Sequence, residues 1–246
     1  MGTIAETIFI LALRQSISIR RVAVLLLLAA IPLVIAIVSE ILNIEWDGDS
    51  TQGFIQRLIF NTGLPLIALI VAAPVFADEI EDRTLTNLML SPIARWQISI
   101  PKMLAAVFIV AIPLAITTFA SVLLVIQDDA YSAAIVGAFG ILIGSIAFVS
   151  LFAFVGTLTT RAVVFGIVYV FGFEALISSA IPGLKYVSIS GNTLSIMQEL
   201  NSTLIDAPIS GSNQLPPIEY AIIALLTVII LSNIATIWRL KRMDVH

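Results

Sequence analysis

The sequence predicts an all-α, polytopic membrane protein: one transmembrane domain over residues 1–246, with six transmembrane helices, an N-terminal interfacial amphipathic helix and a short cytoplasmic helix. Three observations lead there. The chain is 59% hydrophobic and 11% charged with mean hydropathy +1.09, so a soluble globule of this length would leave too much apolar surface in water. Six windows, 22–42, 58–77, 103–126, 134–157, 163–181 and 220–238, reach the roughly 20 apolar residues that cross a hydrocarbon core. Runs such as Val22 to Ile37 are apolar on every side, which excludes the alternating pattern of a membrane β-barrel.

The first element is the N-terminal segment. Ile8 to Leu13 precedes Arg14, Arg20 and Arg21, the reverse of a cleavable signal, which places its basic residues first. Ile4, Ile8 and Leu11, followed by Gln15 and Ser18, predict an amphipathic helix in the inner interface, with Arg14 reaching toward headgroups, the alternative being a simple cytoplasmic extension of the first span.

The spans follow, and the cations orient them. Of the 12 Lys and Arg residues, Arg14, Arg20, Arg21, Arg83, Arg95, Lys102, Arg161, Arg239, Lys241 and Arg242 fall on one side of a six-span chain. Basic residues near span ends stay inside, so a multi-pass protein of the inner (plasma) membrane with both termini cytoplasmic is expected. Only Arg57 and Lys185 fall on the other side, with Glu45, Asp47, Asp49, Asp128, Asp129, Glu199, Asp206 and Glu219. The net charge of −4 therefore sums a basic inner face and an acidic outer one.

Between the second and third spans lies the segment 78–102, DEIEDRTLTNLMLSPIARWQISIPK. Asp78 and Glu81 have the spacing of a capping box, and Asp78, Glu79, Glu81 and Asp82 suit the positive end of a helix dipole, so a short helix is expected to start there. Leu85, Leu88 and Met89 would share one face of it, with Thr84 and Asn87 beside them, and Pro92 would end it. On pattern alone a solvated loop carrying surface charge fits equally well.

Within the spans, Glu174 in FGFEALISSA stands out, because a charged group at the bilayer centre costs roughly 2.5–3.5 kcal/mol on insertion scales. It is a candidate substrate-path or gate residue. The alternative is a protonated or hydrogen-bonded carboxyl near the outer boundary, given its place late in the fifth window. Gly140 and Gly144 form a GxxxG pair that signals close helix contact. Pro32, Pro65, Pro74 and Pro113 mark kinks. The external segment from Pro182 to Pro217 contains apolar stretches able to rest on the outer membrane surface or dip into it, and Asn201-Ser202-Thr203 matches a glycosylation triplet that carries no weight without its context.

Several functions drop out by inventory. The one histidine is His246, which leaves no internal imidazole for a triad, zinc or haem, and the chain has no cysteine. With no G-x-x-x-x-G-K-[ST] loop the chain lacks a nucleotide site of its own, and no basic, aromatic groove offers a place for nucleic acid.

From Ala77 to Lys102 the string ADEIEDRTLTNLMLSPIARWQISIPK resembles the cytoplasmic loop of type-2 ABC transporter permeases, in which an acidic stretch leads to Thr-Leu, paired leucines, Pro, Arg and finally Lys. Glu79, Thr84, Leu85, Leu88, Pro92, Arg95 and Lys102 occupy positions of that pattern. Arg83 and Pro101 stand where the family commonly has glycines. The resemblance implies a non-enzymatic permease subunit of an ABC exporter, paired with a second copy or a homologous permease. It also implies that cytoplasmic ATPase subunits hold ATP and magnesium. A coupling helix in this segment would dock in an ATPase groove through Glu79, Glu81, Asp82, Arg83, Thr84, Leu85, Leu88, Met89, Pro92 and Arg95, and short re-entrant helices would lie between the last two spans. The competing reading is a stand-alone six-span secondary carrier or membrane assembly factor. Carriers commonly show repeated halves, and none is visible here.

Overall fold

A computed structural model describes residues 2–16, 19–44, 46–47, 50–51, 53–81, 94–126, 129–177, 182–201 and 215–242. Among them every regular element is helical. Helix α1 covers Gly2–Ser16 and α2 covers Ile19–Ile41. The next rod has three parts: α3, Gly53–Gly63, wound in the wide π form, then α4, Leu64–Ala72, and α5, Pro74–Glu81. Helix α6 is Arg95–Val125, α7 is Ala130–Leu158, and α8, Ala162–Ile167, passes into a second π segment, α9, Val168–Ile177. After a 3-10 turn at Pro182–Tyr186 come α10, Ile189–Leu200, and α11, Ile218–Arg242.

Five rods are long and apolar enough to cross a membrane: Arg21–Ile41, Gly53–Asp78, Arg95–Val125, Ala130–Leu158 and Ile218–Arg242. The fifth window, expected over 163–181, holds a shorter apolar helix, Ala162–Glu174, which continues in the π form to Ile177. Most rods extend past their apolar windows because intrahelical hydrogen bonding continues into the polar flanks. The prolines sit where their missing N–H is tolerated or a bend is absorbed. Pro65 follows the π turn, Pro74 opens α5 after Ala73, and Pro32, Pro101 and Pro113 lie inside helices.

Helix α7 is the axis of the bundle, in contact with α4, α5, α6, α8, α10 and α11. Small residues permit this. A Cβ at Gly156 would collide with the Ala73 carbonyl, and one at Gly140 or Gly144 with Met197 or Leu64. Within a bilayer the lipid is as apolar as the side chains, so such close approach, rather than exclusion from water, holds helices together. The expected GxxxG contact is present. Helix α2 packs on α6 and the α3–α4 rod, while apolar residues such as Leu27 and Ile41 on α2 and Ile223 and Leu231 on α11 point outward.

Helix α1 forms as expected and lies along α6, with the Phe9 ring edge-on to Phe108 at 5.9 Å and Ala12 buried, while Ile10 and Leu11 face out. The capping box at Asp78 does not form. The second rod stays helical through Asp78 to Glu81, so the amides there already bond within the helix, and the Asp78 carboxylate instead accepts a hydrogen bond from the Arg21 guanidinium in an exposed ion pair. Phe76, Met103, Ala153 and Leu240 cluster at the same end, which brings the end of α5, the start of α6 and the ends of α7 and α11 together there.

Candidate functional site

The coupling set divides sharply. Asp82, Arg83, Thr84, Leu85, Leu88, Met89 and Pro92 lie outside the described residues, as does the short helix expected to carry them. Glu79 belongs to α5, Glu81 ends that helix with its side chain exposed, and half-buried Arg95 opens α6. Two turns further, Lys102 is buried with its ammonium 5.7 Å from the centre of the Phe76 ring, a cation–π arrangement.

Glu174 is the other candidate, and its side chain is 0% exposed. The Tyr169 hydroxyl donates to its Oε1 at 2.9 Å, the Ile189 amide to the same oxygen at 3.0 Å, and the Ser188 hydroxyl to Oε2 at 2.6 Å. Three donors converging on two oxygens is the pattern of a carboxylate acceptor, and such charge-assisted bonds are stronger than neutral ones.

Those donors define what Glu174 does locally. Ser188 is the N-cap of α10: its Oγ accepts from the Gly191 amide at 2.9 Å while its own proton goes to Glu174. Ile189 is the first residue of α10, and its amide is one of the four that no intrahelical carbonyl can serve. Glu174 thus places its carboxyl oxygens at the positive end of the α10 dipole. The sequence reading had no means of pairing it with residues 14 and 15 positions later. The available local signal is Ser188 three residues before Gly191, an N-cap spacing within the segment whose apolar stretches suggest membrane contact.

The contacts along α7 show how deep this junction lies. The Phe152 and Tyr169 rings meet edge-on at 6.0 Å, so α8–α9 climbs back along α7 from its end. Beside Gly144 is Thr193, beside Gly140 is Met197, and the Asn201 amide donates to Ser132 Oγ at 2.8 Å and Asp129 Oδ2 at 3.2 Å at the start of α7. Helix α10 therefore runs in the same direction as α8–α9 and completes the rise that the shorter helix leaves unfinished. With a 1.5 Å rise per residue, α7 is about 43 Å long and Gly144 sits near its middle. Glu174 and the start of α10 are deep in the bundle, not at its outer boundary.

Helix α10 is held between α3, α7 and α11 with Ile189 to Met197 buried, rather than resting on the surface. Its side-chain donors are accommodated, while the Asn192 Oδ1 is buried without a partner among the described residues. Ser190 donates to the Phe60 carbonyl of α3 at 3.0 Å, Ser195 to the Pro216 carbonyl, Thr193 to Ile189 O at 2.8 Å, and the Asn192 amide to Tyr186 O at 2.9 Å and Ser188 O at 2.7 Å. Asn201 is buried in its bonds to α7, so the side chain of the glycosylation triplet is engaged internally. The two π segments, α3 and α9, touch each other beside this junction. Wide turns of this kind are rare and concentrate at functional sites.

Residues 14–186 match a family model described as ABC-2 family transporter protein. A search of curated proteins gives no match.

Proposed function

The chain belongs to the ABC-2 family of transporter proteins and is a multi-pass membrane transport subunit, and on that premise we propose that it is the permease of an ABC exporter. It works as a dimer with a second copy or a close homologue, and cytoplasmic ATPase subunits that hold ATP and magnesium drive it. The match over residues 14–186 carries the reading, and the five long apolar rods agree with it. The α8–α9 and α10 half-helices together supply the sixth crossing, and α1 lies in the inner interface along α6. Both termini and the 78–102 segment face the cytoplasm. The clustering of α5, α6, α7 and α11 ends at Phe76, Met103, Ala153 and Leu240 supports one common face for Arg95, Lys102, Arg239, Lys241 and Arg242.

In this reading the ATPase docks on the segment through Glu79, Glu81, Asp82, Arg83, Thr84, Leu85, Leu88, Met89, Pro92 and Arg95. Apolar anchors at Leu85, Leu88 and Met89 provide affinity, and the charges set register. Glu174 borders the substrate path at the permease interface and is covered when α10 is seated on it.

Co-purification tests the reading. An ABC ATPase encoded beside this chain should be captured with it, and the double change Leu85→Asp and Leu88→Asp should abolish capture while leaving membrane insertion intact. Capture that survives the double change would remove this segment as the dock. In the natural cysteine-free background, a cysteine at Ser50 should react with an impermeant thiol reagent added outside intact cells and one at Ser91 should not. Outside labelling at Ser91 would invert the orientation.

A further inference from the structure

We propose that Glu174 is a latch: its carboxylate pins the deep end of α10, and withdrawing it lets that end leave the bundle while the outer end stays clamped. The two ends are tied differently. At the outer end Asn201 bonds to Asp129 and Ser132 of α7, and Ser195 bonds to the Pro216 carbonyl ahead of α11. At the deep end three bonds come together on one side chain of another element, Glu174, with Ser190 adding a single bond to Phe60 O. Two of those three donors, Ser188 Oγ and the Ile189 amide, belong to the start of α10, so a shift of one carboxylate frees both from the neighbouring element while the Ser188 cap on Gly191 stays with α10.

The surface beneath α10 suits a moving part. Met197 and Thr193 rest on Gly140 and Gly144, two positions that present no side chain to α10. The polar side chains of Ser190, Asn192 and Ser195 are buried only while α10 is seated, and once released they would line the opening. A helix meant only to fill a membrane core would not carry them, because each polar group must then be bonded internally.

The latch is also connected to the cytoplasmic end. Helix α8, which leads into the Glu174 segment, packs on α4 and α5, and Gly166 allows Leu69 to press against its backbone. Helix α5 continues directly toward the 78–102 segment. Displacement of α5 would therefore reach Glu174 through two packed helices, a contiguous path to an element with seated and released positions. This deepens the transport reading, because the drive would come from the ATPase, but the latch itself is testable without one.

The chain has no cysteine, so a single one at Leu194, buried in α10, reports the helix alone. In the purified chain N-ethylmaleimide should modify it slowly. Glu174→Ala should raise the rate about tenfold or more, and Ser188→Ala and Tyr169→Phe should raise it less, since each removes one bond of the set. A control cysteine at Ala147, buried in α7, should stay slow in every variant. An unchanged rate at position 194 in Glu174→Ala would overturn the latch, and so would a parallel rise at position 147, which would show general loosening. Should Glu174→Ala not yield folded protein, Ser188→Ala and Tyr169→Phe decide the question by the same two criteria. With the ATPase bound, ATP turnover should accelerate labelling at position 194 in the otherwise native chain. Labelling that responds to Glu174→Ala but not to ATP would leave the latch standing and refute the ATPase-driven reading.

Discussion

At the end of the bundle near Phe76 and Leu240, Arg21 and Asp78 pair in the open, with side chains 46% and 45% exposed, while Lys102 is buried beside the Phe76 ring. At the Glu174 junction the arrangement is reversed, with a buried carboxyl, the buried Ser188 hydroxyl and Ile189 amide and the part-buried Tyr169 hydroxyl bonded to one another among helices. The difference lies in what each group loses when its partner goes. An exposed ion pair exchanges one partner for water, whereas an enclosed carboxylate leaves donors that nothing else can reach. The exposed Arg21–Asp78 pair can therefore vary with little effect on the bundle, while the junction is bound to its geometry.

The sharpest way to break this contrast is Glu174→Leu. It keeps bulk but strands the Tyr169 and Ser188 hydroxyls and the Ile189 amide, and should cost about 3 kcal/mol or more, seen as a large fall in the thermal midpoint of the purified chain. Glu174→Gln should fall between, because the amide can still accept from Ile189 and Tyr169. Its NH2 would have to donate to Ser188 Oγ, which already accepts from Gly191, and the serine proton would then lack a partner. Next in size, Gly140→Leu should overpack α7 against Met197 and Phe60 and destabilise by about 1–3 kcal/mol, with lower yield of monodisperse protein as the readout. Smaller again, Ser190→Ala removes one hydrogen bond to a carbonyl and should cost about 1 kcal/mol in the same melt. Asp78→Asn, in the exposed pair, should change the midpoint by less than about 1 kcal/mol equivalent, and raised salt should reduce even that. If Asp78→Asn proved as costly as Glu174→Leu, the contrast between the two regions would collapse.

Hydropathy alone located the five long rods, because a span is a sum over some twenty residues and tolerates errors in any one of them. The GxxxG pair was also readable, since close approach needs small residues at a helical spacing. The junction was not. Nothing local in FGFEALISSA says that its donors arrive with Ser188 and Ile189, and the apolar stretches of the 182–217 segment suggest membrane contact without showing that ISGNTLSIM makes its hydrogen bonds to Phe60, Pro216 and its own backbone. Asp78 failed for the opposite reason. The local pattern of a helix start was present, but the preceding span had already supplied the helix, and the carboxylate was left to serve Arg21.

The short length of α8–α9 bears on how the protein is made. An apolar segment with a carboxyl at Glu174 is a weaker candidate for partition into lipid on its own than the five longer rods. Its stabilising partner, α10, is itself incomplete until the Pro216 carbonyl and the α11 wall have been synthesised. Maturation of this half of the molecule therefore waits on the last helix. A nascent chain that stops before residue 215 would leave the Ser195 hydroxyl without its Pro216 partner and the α11-facing side of α10 uncovered.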